Sequence, residues 1–322
     1  MSTYSFLAGV ALALLVAAGA SEAQQKYPVR PIRLLVPFPP GGGTDLMARV
    51  MAQKLTDVFN VSLIVDNRPG AGGTIGAETA VRAAPDGYTM IVVSGSYATN
   101  AAFYRLPYDP VNDIAPIAYL GESAFLLSLH PSVPMKNARD LIAYDKANPG
   151  KLNYGSTGTG GITHLASELF NQVAGTRFTH VPYKGTGPAV NDLIGGQIQL
   201  MFGAMPALAP HVKANRLRGI AVTTLKRNSA MPDLPPLAET VPGYEAFPWY
   251  AAWGPKALPK EIIARWNREI NRILATQEMK ERMAGEGVEP AGGPPERFHE
   301  VLKREVPKWQ KVVNTGNIKA GN

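Results

Sequence analysis

Three glycine clusters stand out: Gly41-Gly42-Gly43, RPGAGGTIG (Arg68 to Gly76) and YGSTGTGGITHL (Tyr154 to Leu165). Each follows a strand-like run and opens a helix-like one. A strand-to-helix corner needs at most one residue with positive φ, so this much bare backbone exceeds what a turn requires. A helix N-terminus presents unpaired N–H donors and a partial positive charge, which makes each corner a potential anion site. For the first cluster a flexible connector, a phosphate cradle and a pocket wall of main-chain N–H groups all fit the glycines.

The first and third clusters make the better pair, because each falls near the start of a separate strand-helix series. In open α/β sheets ligands bind beyond the carboxyl ends of the strands, so two such edges facing each other would grip an anion from both sides. Thr44, Ser156, Thr157, Thr159 and Thr163 add hydroxyls beside the bare backbone. Hydrogen bonds to a charged group contribute about 1.5–3 kcal/mol each, so four or five donors reach the ~8 kcal/mol of a micromolar complex without an arginine. Asp45 has two readings: a cap for helix N–H groups, or an acceptor for a ligand amine, a protonated carboxyl or a bridging water. The second cluster lies near a dinucleotide fingerprint but in the second strand-helix unit, and reads as a tight turn with close helix-sheet packing.

Other chemistries find little support. The chain has no cysteine, which excludes disulfides, thiol nucleophiles, Cys-ligated zinc and a lipidated N-terminal cysteine. Its five histidines never reach metal-ligand spacing, and neither a G-x-S-x-G elbow nor a G-x-x-x-x-G-K-[ST] loop occurs. The formal charge of +7 is spread without a basic run, as on a solvated surface rather than a nucleic-acid footprint. No cofactor or metal is expected.

FLAGVALALLVAAGA (Phe6 to Ala20) followed by SEA reads as a secretory signal peptide, residues 1–23, too short to span a bilayer. Export without cysteine or anchor implies the bacterial periplasm. Beyond it, short apolar strands such as IRLLVPF alternate with amphipathic helices, one placing Met47, Met51, Leu55 and Val58 on a single face. Such units imply parallel strands with right-handed crossovers. The texture changes at the proline-rich stretch from Leu106, where PIAYL and FLLSLH suggest a strand pair, and a second α/β series follows. Two lobes result: residues 24–105 with 222–322, and residues 106–221. Two helices close the chain, with Pro307 expected to kink or break the second.

VPFPPGGGTDLMAR, VDNRPGAGGTIGAE, APDGYT, NPGKLNYGSTGTGGITHLASELF, HVPYKGTGPAVNDLIGGQI and GPKALPKEIIARWNREINRIL, in this order over essentially the whole mature chain, resemble the Bug family of periplasmic solute receptors for tripartite tricarboxylate transporters. The resemblance implies an α/β, two-lobed Venus-flytrap periplasmic binding protein, with a mixed or parallel sheet in each lobe and a cleft between them. It implies a non-enzymatic monomer that closes on a small organic carboxylate and presents it to membrane permease subunits. The matching loops put Phe38, Gly42, Gly43, Thr44 and Asp45 on one side of the ligand and Ser156, Thr157, Gly158, Thr159, Gly160 and His164 on the other. The stretch SGSYATN adds Ser94, Tyr97 and Asn100 for the variable part of the pocket. Gly203-Ala204 stand where family members often carry a polar or acidic residue, which points to a bulkier or less polar acid, aromatic ones included. The rivals are an enzyme acting on a phosphorylated or nucleotide-like substrate, and a receptor serving a two-component sensor.

Overall fold

A computed structural model describes residues 27–285 and 287–319; the expected signal peptide lies outside them. The chain begins with β1 (Ile32–Val36), α1 (Gly43–Phe59), β2 (Leu63–Asn67), α2 (Thr74–Val81), β3 (Thr89–Ser94), α3 (Ser96–Phe103) and β4 (Ile114–Ser123). Then come β5 (Phe125–Leu129), α4 (Ala138–Ala147), β6 (Asn153–Ser156), α5 (Ile162–Ala174), β7 (Thr179–Pro182), α6 (Thr186–Ile194), β8 (Leu200–Ala204), α7 (Met205–Lys213) and β9 (Arg218–Val222). The last part holds β10 (Trp249–Pro255), α8 (Lys260–Ala275), α9 (Gln277–Gly285), β11 (Val288–Pro290) and α10 (Pro295–Thr315).

The strands form two sheets, one ordered β11-β4-β10-β3-β1-β2 and the other β7-β6-β8-β5-β9. β2-β1-β3 and β7-β6-β8 are parallel, as the strand-helix alternation predicts. β10 and β5 run antiparallel to their neighbours, so both sheets are mixed. The mostly apolar runs in β1 and β3, broken by Arg33 and by Thr89 and Ser94, follow from burial on both faces.

PIAYL and FLLSLH are not a strand pair. β4 is bonded to β10 and β11 in the first sheet, whereas β5 joins β8 and β9 in the second. The chain therefore crosses between sheets at Ala124, well past the proline-rich stretch at Leu106, which is a loop on the way to β4. Proline and glycine mark turns; they do not report which sheet the next strand joins. The return crossing is tied beside the first: Phe125 N–H donates to Thr223 Oγ1 at 2.9 Å, and Thr223 N–H to the Phe125 carbonyl at 3.1 Å.

Pro307 does not break α10, which continues through it to Thr315. The residues around it, Leu302, Val306, Trp309 and Val313, are buried, and that packing outweighs the hydrogen bond the proline removes. Gln172 of α5 donates to the Val312 carbonyl at 2.8 Å, so α10 touches the second series as well as α3 and β4.

The second glycine cluster is held where helix meets strand end. A Cβ on Gly76 would lie 2.8 Å from the Arg68 carbonyl oxygen and 2.8 Å from Pro37 Cβ. Gly76→Ala should therefore lower the urea midpoint by the equivalent of about 1–3 kcal/mol, overpacking outweighing the roughly 1 kcal/mol gained in helix propensity. A raised midpoint would show that the propensity term wins.

Candidate functional site

Loops from both sheets meet at one polar cavity of about 220 Å³. From the first side come Phe38, Gly72, the α3 residues Ser96, Thr99, Asn100 and Phe103, and Tyr104 just past the helix end; from the other come Thr157 to Gly161. The α3 residues follow helical spacing, i, i+3, i+4 and i+7, and so form one face.

The first loop is braced from behind. Asp45, 1% exposed, uses Oδ2 to accept from Gly41 N–H and Arg49 Nε, each at 2.9 Å. Its Oδ1 accepts from Asn67 Nδ2 at 2.9 Å, and the same amide donates to the Phe38 carbonyl at 2.9 Å. Burial alone would raise the carboxyl's pKa, but the donors Arg49, Gly41 and Asn67 outweigh it and hold the pKa below the ordinary value. This contribution to stability is present above the unfolded carboxyl's pKa and is lost as pH falls through the lowered folded value. Asp45 thus shapes the loop, and its acceptor positions face protein donors. Thr44 is buried beside it, and Gly42 caps α1 with extended backbone. Gly43 borders a second cavity, where an added Cβ would lie 2.4 Å from the Tyr250 hydroxyl.

The third cluster is organised by two stacked histidines. His164, on α5, and His180, on β7, lie with ring centroids 3.8 Å apart and planes 8° from parallel. His164 Nδ1 accepts Gly160 N–H at 3.0 Å, which makes the ring the neutral tautomer with its proton on Nε2. His180 Nε2 lies 2.6 Å from Ser156 Oγ. Burial, then the neighbouring His180, pushes the His164 pKa down to about 3; burial lowers that of His180 to about 4. Both rings are neutral at physiological pH.

This loop also consumes many of its own donors. Thr157 N–H goes to Thr163 Oγ1 at 3.0 Å, Gly158 N–H to Ser156 Oγ at 3.2 Å, and Gly161 N–H to the Gly158 carbonyl at 3.2 Å. With Gly160 N–H on His164, four N–H groups are spent on loop shape. The expected four or five donors to an anion therefore do not all come from this loop's backbone. The other polar groups on the cavity wall are the Ser96, Thr157 and Thr159 hydroxyls, Thr99, whose Oγ1 donates to the Ser96 carbonyl at 3.1 Å, and the Asn100 amide, which donates to the Gly72 carbonyl at 2.8 Å. Gly158, with φ of +136°, adopts a conformation that only glycine takes readily.

Several expected residues sit elsewhere. Tyr97 is 4% exposed, donates its hydroxyl to the Pro110 carbonyl at 3.0 Å and packs against Tyr108 and Trp253, so it is core. Helical phase explains this: Tyr97 lies one residue after Ser96 and faces away from the cavity. Ser156 is fully buried under the loop, and Ser94, at the end of β3, pairs in register with Tyr250; neither lines the cavity. Gly203 lies inside β8, where a Cβ would meet Leu208 at 2.5 Å; its neighbour Ala204 borders the second cavity. Gly72, Phe103 and Tyr104 were missed, while Ser96, Thr99 and Gly161 lie within stretches expected at the site without being singled out. The helical period that starts at Ser96 could have found Phe103 and Tyr104, and the second glycine cluster Gly72. Among the described residues no group of three metal-ligating side chains comes together.

Two α/β halves with glycine corners facing across a shared cleft define a periplasmic binding protein, the class to which its structural neighbours belong. A protein described as R. palustris Rpa4515 with adipate is 36% identical, with a TM-score of 0.79 over 91% of this chain and 99% of that one. MatC from Rhodopseudomonas palustris with bound malate is 29% identical, with a TM-score of 0.76 over 89% and 100%. Protein BugT of Bordetella pertussis (strain Tohama I) is 36% identical over 297 residues, 91% of each chain. Residues 47–318 match the family described as Tripartite tricarboxylate transporter family receptor, TctC. The chain belongs to that family.

Proposed function

We propose that this chain is exported to the periplasm, captures a small organic carboxylate between its two sheets as a monomer, and delivers it to the membrane permease of a tripartite transporter. The observation that carries this reading is the cavity lined by Phe38 and Gly72 from one side and Thr157–Gly161 from the other. Two described relatives hold adipate and malate, which makes a dicarboxylate the first ligand to try. The lobes in this reading are the two sheets with their helices, crossing at Ala124 and Thr223. A ligand that touches both loops binds the closed arrangement more tightly, and that difference in affinity drives closure. The chain acts by binding alone in this reading, without covalent chemistry.

Thr159, exposed on the cavity wall, supplies the test. Titration calorimetry with mono-, di-, tri- and aromatic carboxylates should find a ligand at micromolar affinity. Thr159→Asp should weaken that ligand more than tenfold through like-charge repulsion while leaving the melting temperature unchanged. Unchanged affinity would remove the cavity from the proposed site.

A further inference from the structure

A second cavity, of about 350 Å³, lies on the other side of the first glycine loop. Gly41 and Gly43 border it, whereas Phe38 of the same loop borders the polar cavity. On the opposite sheet Thr186 borders it, and the Gly185 N–H just before Thr186 donates to the Thr157 carbonyl at 3.3 Å. The two cavities therefore flank the same pair of loops, and they differ in chemistry.

The wall of the second cavity is hydrocarbon and thioether: Leu46, Met47 and Val50 of α1, Met279 and Met283 of α9, and Val288 of β11. The β8–α7 corner contributes only Ala204, Pro206 and Ala207, so no polar side chain enters from there. Of the described residues lining it, Arg282 alone carries a formal charge, and the polar contributors, Ser123, Thr186 and Tyr250, are hydroxyls. Among the described residues no carboxylate lines it. Such a surface leaves the lost hydration of a small hydrophilic polyacid uncompensated, yet suits an anion with an apolar body.

We infer that this cavity is a subsite for a carboxylic acid with a hydrocarbon or aromatic body, the body lying on the methionine-lined wall and a carboxylate meeting Arg282. The volume falls within the range of small-ligand sites. The methionines, unbranched and polarizable, adapt to bodies of different shape. Arg282 is exposed, and its guanidinium matches a carboxylate in a two-pronged geometry. The choice of an acid rests on the carboxylate-receptor reading; the place and the aliphatic character of the body rest on the lining of this cavity.

The test is calorimetry on the full mature chain with butyrate, hexanoate, octanoate and succinate. Affinity should rise with chain length, by up to roughly fourfold per buried methylene, and octanoate should exceed butyrate at least tenfold. Ala207→Trp, which fills the cavity from a half-buried position, should weaken octanoate at least tenfold, and Arg282→Gln, at an exposed position, should weaken it severalfold. Affinity that is flat with chain length, or octanoate binding untouched by Ala207→Trp, overturns the subsite. Succinate binding with no gain for octanoate overturns the subsite and keeps the receptor reading. Octanoate binding without succinate keeps the subsite and narrows the receptor to apolar acids. Binding of none of the four overturns the subsite.

Discussion

Asp45→Ala is expected to destabilise the protein by about 2 kcal/mol and to weaken carboxylate binding more than tenfold. The carboxylate is 1% exposed and takes three donors, from Gly41, Arg49 and Asn67. Removing it leaves the half-buried Asn67 amide without its acceptor, at about 1–3 kcal/mol for an unsatisfied donor, whereas Gly41 is exposed and its N–H turns to water. Arg49 contributes less, because its side chain is 50% exposed and water replaces the partner. Arg49→Ala should accordingly cost under about 1 kcal/mol. Asp45→Asn should fare little better than Ala, since its NH₂ would face one of the same donors. Binding falls because Asn67 and Asp45 together fix the loop from Phe38 to Gly41 against the end of β2. Urea midpoints and calorimetry on the three variants check this. An Asp45→Ala protein as stable as the parent would show that the brace contributes nothing.

The second large effect is a loss of stability in mild acid through the stacked histidines. Both folded pKa values lie below the ordinary 6.5, at about 3 for His164 and about 4 for His180. The unfolded chain therefore binds protons that the folded chain refuses, and stability falls as pH drops below about 6.5 until the folded values are reached. The slope is about 1.4 kcal/mol per pH unit for each ring, so each costs about 2 kcal/mol between pH 7 and pH 5. His211, lowered first by burial and then by Arg216, adds in the same direction. The cause at the pair is geometric: rings 3.8 Å apart cannot both become cations, and a proton on His164 Nδ1 removes the acceptor for Gly160 N–H. The binding loop should loosen in the same pH range. Urea denaturation at pH 7, 6 and 5 should give a steep decline for the parent and a shallower one for His164→Asn with His180→Gln. Parallel declines in the two proteins would assign the acid sensitivity to other groups.

Some of this is legible in the residues and some is not. The three glycine corners, their helices and the parallel strand triplets follow from local rules, because bare backbone and hydrophobic period act over a few residues. Even the cavity face of α3 is written in its period: Ser96, Thr99, Asn100 and Phe103 share a side, and Tyr97 does not. Asp45 shows where local reading stops. Its place in the first turn of α1 allows both a cap and a ligand acceptor, and only the approach of Asn67 from β2 and of Arg49 decides between them. His164 and His180 are separated by most of α5 and the turn after it, and become a stacked pair only when α5 packs over β6.

By itself, then, the sequence determined the elements, the anion-friendly corners and the family to which the chain belongs. Tertiary structure decided which strand enters which sheet, and so moved the crossing from the prolines near Leu106 to Ala124. It also decided that four N–H groups of the third cluster hold the loop itself, and that the first loop divides a polar cavity from an apolar one. These are long-range outcomes. Sheet membership and cavity walls depend on contacts between residues far apart in the chain, which local propensity and periodicity do not encode.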